Sequence, residues 1–364
     1  MRSRSLRRRR PLFDPLKNQI NVRESSLVAI SALIVCLIFC PAIDASATTT
    51  SVPLQTRFGL SDSSGIPVVE VSLGRDRPVR LLLDTATVGI RVLASDLPTG
   101  SKSGIRLSSV PDTSAFLDGV ALKGVIAYAP VSIGGVRTPP IPFELVTSQA
   151  CNSQIGCPAF PGSGTQRVDG IFGASISRPA AGDPVVNPLM RLPSYFGGRW
   201  RIEYGKPLNG SSSGDIVLGA LAPKQSVTAI NLRSDGRTRW RGRYWEDRPT
   251  LCWTFNSQQR YCGPTIFDSG SDVMFIQSNP LPPELGITSS QPTEVPSGTT
   301  ISVFERNSRR PFWSYMTGMV PDFDSAEARQ RSPAFVDTGV QMFYSCYFTY
   351  NATSGSITVS NSQN

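Results

Sequence analysis

Histidine is absent from all 364 residues. That single absence removes Ser-His-Asp and Cys-His catalysis and most zinc sites. A hydrolase built from this chain must use carboxylates or a less common nucleophile. Long helical periodicity is also scarce, whereas Gly (31) and Pro (30) are abundant, so many strands joined by turns are expected. Apolar residues at 40% and charged residues at 17% describe an ordinary globular protein, and the length suggests more than one unit.

A strong excess of positive charge is missing as well, once the N-terminus is set aside. Residues 1–47 carry 8 of the 36 Lys and Arg and 3 of the 27 Asp and Glu, which leaves 28 against 24, net +4. A nucleic-acid partner, which needs a basic face on the folded domain, is therefore not expected. Those 47 residues combine "MRSRSLRRRR", the uncharged apolar run "LVAISALIVCLIFC" (Leu27 to Cys40) and "ASA" at Ala45 to Ala47. They read as a secretory signal with an extended basic front, or as a single-pass anchor with its basic end in the cytosol. Either way the remainder lies outside the cytosol, whether secreted, periplasmic, extracellular or membrane-tethered. Of seven cysteines, Cys36 and Cys40 lie in the apolar run. Cys151 with Cys157, and Cys252 with Cys262, are spaced for small disulfide-closed loops, and Cys346 is left over.

From Ser51 onward short β-branched or alternating segments are bounded by Gly and Pro, and no low-complexity linker divides them. A boundary is expected near 205/206, giving lobes over residues 48–205 and 206–364. One pattern occurs in each. "RLLLDTATVGIRVLAS" carries Asp84 between two apolar runs, and "YCGPTIFDSGSDVMFI" repeats that arrangement around Asp268, 184 residues later.

The chemistry of such a repeat is specific. Small hydroxyl residues allow a tight turn while bonding the neighbouring backbone and carboxylate. Two such turns meeting face to face bring two carboxylates together, and like charges at that distance share one proton over an acidic range. One carboxylate then draws a proton from water while the other protonates a carbonyl. No histidine, metal or cofactor is needed.

On these residues the chain resembles the pepsin-like aspartic peptidases. "LLLDTATVGIRV" looks like their first active-site motif, "GVIAYAPVSIGGV" like the strand after the flap, and "VDGIFGASIS" like the Asp-Gly-Ile-Leu-Gly segment. "WRIEYG" with "GDIVLGAL" is similar to the crossing between lobes, "CGPTIFDSGSDVMFI" to the second active-site motif, and "GVQMFYSCYFTYNATSGSITV" to the closing strands. The resemblance implies a mostly-β bilobal fold, two related six-stranded-type lobes with the active site between them. It implies Asp84 and Asp268 as the catalytic dyad, Thr85 and Ser269 as buried hydroxyls locking the turns together, and Thr87 and Ser271 as outer partners of the carboxylates. It further implies a monomer that cuts extended polypeptide with apolar side chains at the scissile bond, without a cofactor.

The sequence departs from that family at several places. Ala86 stands where glycine is usual, and Arg91 where the family often has a tryptophan. The flap lacks its tyrosine, and Phe116, with Gly119 in the following turn, falls nearest that position. A third Asp-Thr-Gly occurs at Asp337. The pattern downstream aligns Gly339 with the glycine of the segment that threads behind the second turn. Asp268, whose flanks repeat those of Asp84, is accordingly the second acid, and Asp337 has no account in the sequence. These departures motivate the other reading, a pepsin-like fold that binds a protein or glycan in its cleft without cutting it.

Overall fold

A computed structural model of the chain describes residues 49–58, 65–75, 78–100, 102–116, 119–151, 168–196, 198–205, 214–219, 226–237, 243–318 and 325–362. These residues are mostly β. Their strands form sheets of fifteen, eight and two strands, with short 3-10 turns as the only helical segments among them. No helix among the described residues is long and apolar enough to cross a membrane, and the run Leu27 to Cys40 lies outside them.

Near-continuous burial marks the strands that lead into and out of the first turn. Val68, Val69 and Val71 of Gly65–Leu73, Leu81 and Leu83 of Val79–Asp84, and Ile90 and Val92 of Val88–Leu93 are all essentially inaccessible to solvent. Apart from Val68, which packs with Ile66, Leu82 and Val168 in a smaller cluster, these β-branched and leucine side chains fill one continuous core together with Trp200, Trp253, Phe343 and Phe348. The large sheet takes strands from both sides of position 205/206. Thr49–Phe58 pairs antiparallel with Gly214–Gly219, and Arg199–Tyr204 with Cys346–Asn351.

One local arrangement occurs twice and frames the two acid-bearing turns. In the first, Gly170–Ala174 lies between the strands on either side of the Asp84 turn, parallel to Val79–Asp84 and antiparallel to Val88–Leu93. In the second, Phe335–Asp337 lies between Tyr261–Ile266 (parallel) and Met274–Ser278 (antiparallel). Both inserted segments require glycine beside the turn. A Cβ at Gly173 would meet the Gly89 carbonyl oxygen at 2.5 Å, and one at Gly339 would meet the Val273 carbonyl group at 2.7 Å. The expected threading of Gly339 behind the second turn is thus seen.

Cys252 and Cys262 are directly opposite on neighbouring strands and form a disulfide. Cys346 is free and buried, and burial pushes its thiol up to about 12. The Cys151–Cys157 pairing falls outside the described residues.

Candidate active site

The apolar strand Val79–Asp84 ends on Asp84, and residues Thr85 to Thr87 turn the chain into the next strand. Asp84 is 9% exposed, and its Oδ1 accepts the amides of Ala86 (2.8 Å) and Thr87 (2.9 Å). The Thr87 hydroxyl bonds the same carboxylate. At the second turn Asp268 Oδ1 accepts the Gly270 amide at 2.7 Å. Each acid thereby closes its own turn, the role that suits Asp followed by a small hydroxyl residue.

The two turns are tied by reciprocal hydrogen bonds. Thr85 Oγ1 donates to the Phe267 carbonyl (2.6 Å) and accepts the Ser269 amide (3.0 Å). Ser269 Oγ donates to the Leu83 carbonyl (2.6 Å) and accepts the Thr85 amide (3.2 Å). Thr85 and Ser269 are both buried. A Cβ placed on Gly270 would sit 2.9 Å from Asp84 Cβ and Cγ and 3.3 Å from Asp268 Oδ1, so both side chains crowd one point. Ala86, by contrast, keeps a φ outside the left-handed region, and its methyl group imposes no backbone strain.

The environments of the two carboxyls differ. Burial raises Asp84, while the Thr87 hydroxyl, the Ala86 and Thr87 amides and the charge of Arg91 pull it back down. Asp268 is held well above the usual carboxylate range by burial, then by the charges of Asp337 and Asp84. Asp84 sits among donors and Asp268 among acids, which separates their proton affinities. Ser271 does not serve Asp268 as Thr87 serves Asp84. Its hydroxyl donates to the Val273 carbonyl at 2.9 Å, and the side-chain partner of Asp268 is Asp337. Asp337 is the residue of this site whose role the sequence concealed. Among the described residues no group of His, Cys, Asp and Glu has the arrangement of a metal site.

Phe116 and Gly119 shape the tip of the hairpin formed by Arg106–Ala115 and Val120–Ala129. The Phe116 amide donates to the Val120 carbonyl, Gly119 turns the chain at φ +90°, and the Phe116 ring packs on Val120, Leu122, Val146 and Ile171. Next to its tip this hairpin is held by Arg91. Its guanidinium donates to Ser114 Oγ (2.5 Å) and the Val88 carbonyl (2.7 Å) and lies 3.3 Å from both Glu144 Oε2 and Asp183 Oδ2. Ser114 in turn donates to Glu144 at 2.7 Å. An aromatic position of the resembled family is therefore filled here by a buried ionic network.

No family model matches the chain, and no curated protein matches it.

Proposed function

We propose that the chain is an aspartic-type endopeptidase of bilobal, pepsin-like architecture that activates water between Asp84 and Asp268. The observation that carries this reading is the reciprocal Thr85–Ser269 bonding, which joins two like acid-bearing turns. Turn formers with no joint task have no need of such a connection.

Asp84 is the ionised base and Asp268 the protonated acid, as their surroundings favour. A water between them gives one proton to Asp84 as its oxygen attacks the scissile carbonyl carbon. Asp268 meanwhile gives its proton to the carbonyl oxygen, and a neutral tetrahedral diol forms. Collapse moves the proton on Asp84 to the departing amide nitrogen, breaks the C–N bond and returns a hydroxyl proton to Asp268. The products are a carboxylic acid and an amine, and the dyad is restored.

Extended polypeptide with apolar side chains flanking the cut is the proposed substrate, bound by a monomer with the hairpin bearing Phe116 and Gly119 beside the cleft. The lobes would be residues 48–205 and 206–364, exported or tethered through residues 1–47. A peptide bearing a non-cleavable secondary hydroxyl in place of the scissile carbonyl imitates the diol and tests this site directly. It should raise the melting temperature of the wild type and lose that effect in Asp84→Asn. Equal stabilisation of both proteins, or of neither, would contradict the proposal.

A further inference from the structure

The segment Asp337-Thr338-Gly339 repeats the construction of the two acid-bearing turns. Asp337 Oδ1 accepts the Gly339 amide two residues on (2.9 Å), as Asp84 does from Ala86 and Asp268 from Gly270. Asp337 is 5% exposed. Its strand places it opposite Ile266 on one side and Phe275 on the other, directly beside the Asp268 turn. Thr338 fastens the two segments together. Its amide donates to the Ile266 carbonyl (2.9 Å), and its hydroxyl oxygen accepts the Asp268 amide (3.3 Å). At the corresponding register in the first arrangement stands Ile171, opposite Leu82 and packed among apolar side chains. At this register the two arrangements differ: a carboxyl stands beside the Asp268 turn and an apolar side chain beside the Asp84 turn.

We propose that Asp337 is a positioning residue of the site, whose hydrogen bond holds the acid proton on Asp268 and leaves Asp84 as the base. This rests on the reading of Asp84 and Asp268 as the water-activating pair. Two buried carboxyls in hydrogen-bond contact need a proton between them, and the Asp268 side chain bonds that of Asp337. The Gly339 amide engages Asp337 Oδ1, which leaves the other oxygen for Asp268. The other ionisable groups acting on this cluster are Asp84 and Arg248 at Asp337, Arg91 at Asp84, and Tyr350, which interacts with Asp84 and Asp268.

The sign follows from these contacts. Asp337 itself titrates at about 7, raised by burial. As an anion it opposes loss of the Asp268 proton by charge, and as the acceptor of the Asp268 O–H it holds that proton until the scissile carbonyl oxygen takes its place as acceptor. Both effects keep the acid form of Asp268 to higher pH. Asp337→Asn removes the charge, so Asp268 should lose its proton at lower pH, and the alkaline limb of kcat/KM should move down by about one to two pH units.

The experiment measures that limb in the wild type and in Asp337→Asn. In parallel, the side-chain carboxyl carbon of Asp268 is titrated by carbon-13 NMR, assigned with Asp268→Asn. A downward move of both supports the proposal. An unchanged limb with a rate lowered equally at every pH, or an Asp268 titration that does not move, overturns it. If the wild type cuts no peptide, the peptidase reading fails while the carboxyl titration still decides this inference. Asp337→Ser, smaller and neutral, gives the same readout should the asparagine variant fail to fold.

Discussion

Thr85 and Ser269 each donate a hydroxyl hydrogen bond to the backbone of the other's turn, at 2.6 Å in both directions. Each hydroxyl also accepts the other's amide. Removing either one leaves a buried amide and a buried carbonyl unpaired, at a cost of about 2 to 4 kcal/mol. Thr85→Val and Ser269→Ala should each lower the urea midpoint accordingly. Because both report the same connection, the double variant should lose clearly less than the two effects added. Additive losses would show that the turns are not coupled.

Gly270 is the point at which the two acids leave no room for a side chain. Gly270→Ala forces the Asp84 carboxyl to shift, costing about 1 to 3 kcal/mol by overpacking. Displacement of that size at reacting groups should lower kcat by roughly a hundredfold, with a smaller effect on KM. Steady-state kinetics beside a folding control would separate the two effects.

Arg91 and Glu144 are both buried, and removing the guanidinium strands Glu144 and Asp183. Arg91→Leu should therefore cost about 3 to 5 kcal/mol. Adding Glu144→Leu should recover part of that loss, because an uncompensated buried charge disappears. Denaturant titration of the single and double variants is the check. A double variant worse than Arg91→Leu would show that Glu144 contributes by packing alone.

Stability should fall as pH rises. Burial raises Asp84, Asp268, Glu144 and Asp183, holds Asp247 at about 6 and holds Asp337 at about 7. Carboxyls that bind protons more tightly when folded contribute stability that is full below the ordinary carboxylate range. That contribution is lost as pH climbs through the folded values. The urea midpoint should decline from about pH 5 to about pH 8, and Asp337→Asn should flatten the upper part of the decline. A midpoint rising over that interval would contradict the burial of these acids.

Asp84 and Asp268 were legible in the sequence because their flanking apolar runs repeat, and Thr85 and Ser269 because hydroxyls follow both acids. Gly339 was legible through its spacing behind the second turn. The rest depends on contacts between distant segments. Asp337 stands where strand periodicity calls for an apolar side chain, and only the nearby Asp268 makes sense of a carboxyl there. Arg91 reads as a lost tryptophan until Ser114, Glu144 and Asp183, from three other segments, are found around it. Ser271 matches Thr87 in type and spacing, yet its hydroxyl bonds the local backbone because the side chain of Asp268 is engaged by Asp337. The sharing of one sheet across position 205/206 leaves no mark in composition at all.

The most direct test of the central claim is the rate of cleavage of an unfolded polypeptide at acid pH by the wild type, Asp84→Asn and Asp268→Asn. The account predicts cutting by the wild type and a loss of about a thousandfold or more in each variant, with both still folded. No cleavage by the folded wild type, or equal cleavage by all three proteins, would contradict it.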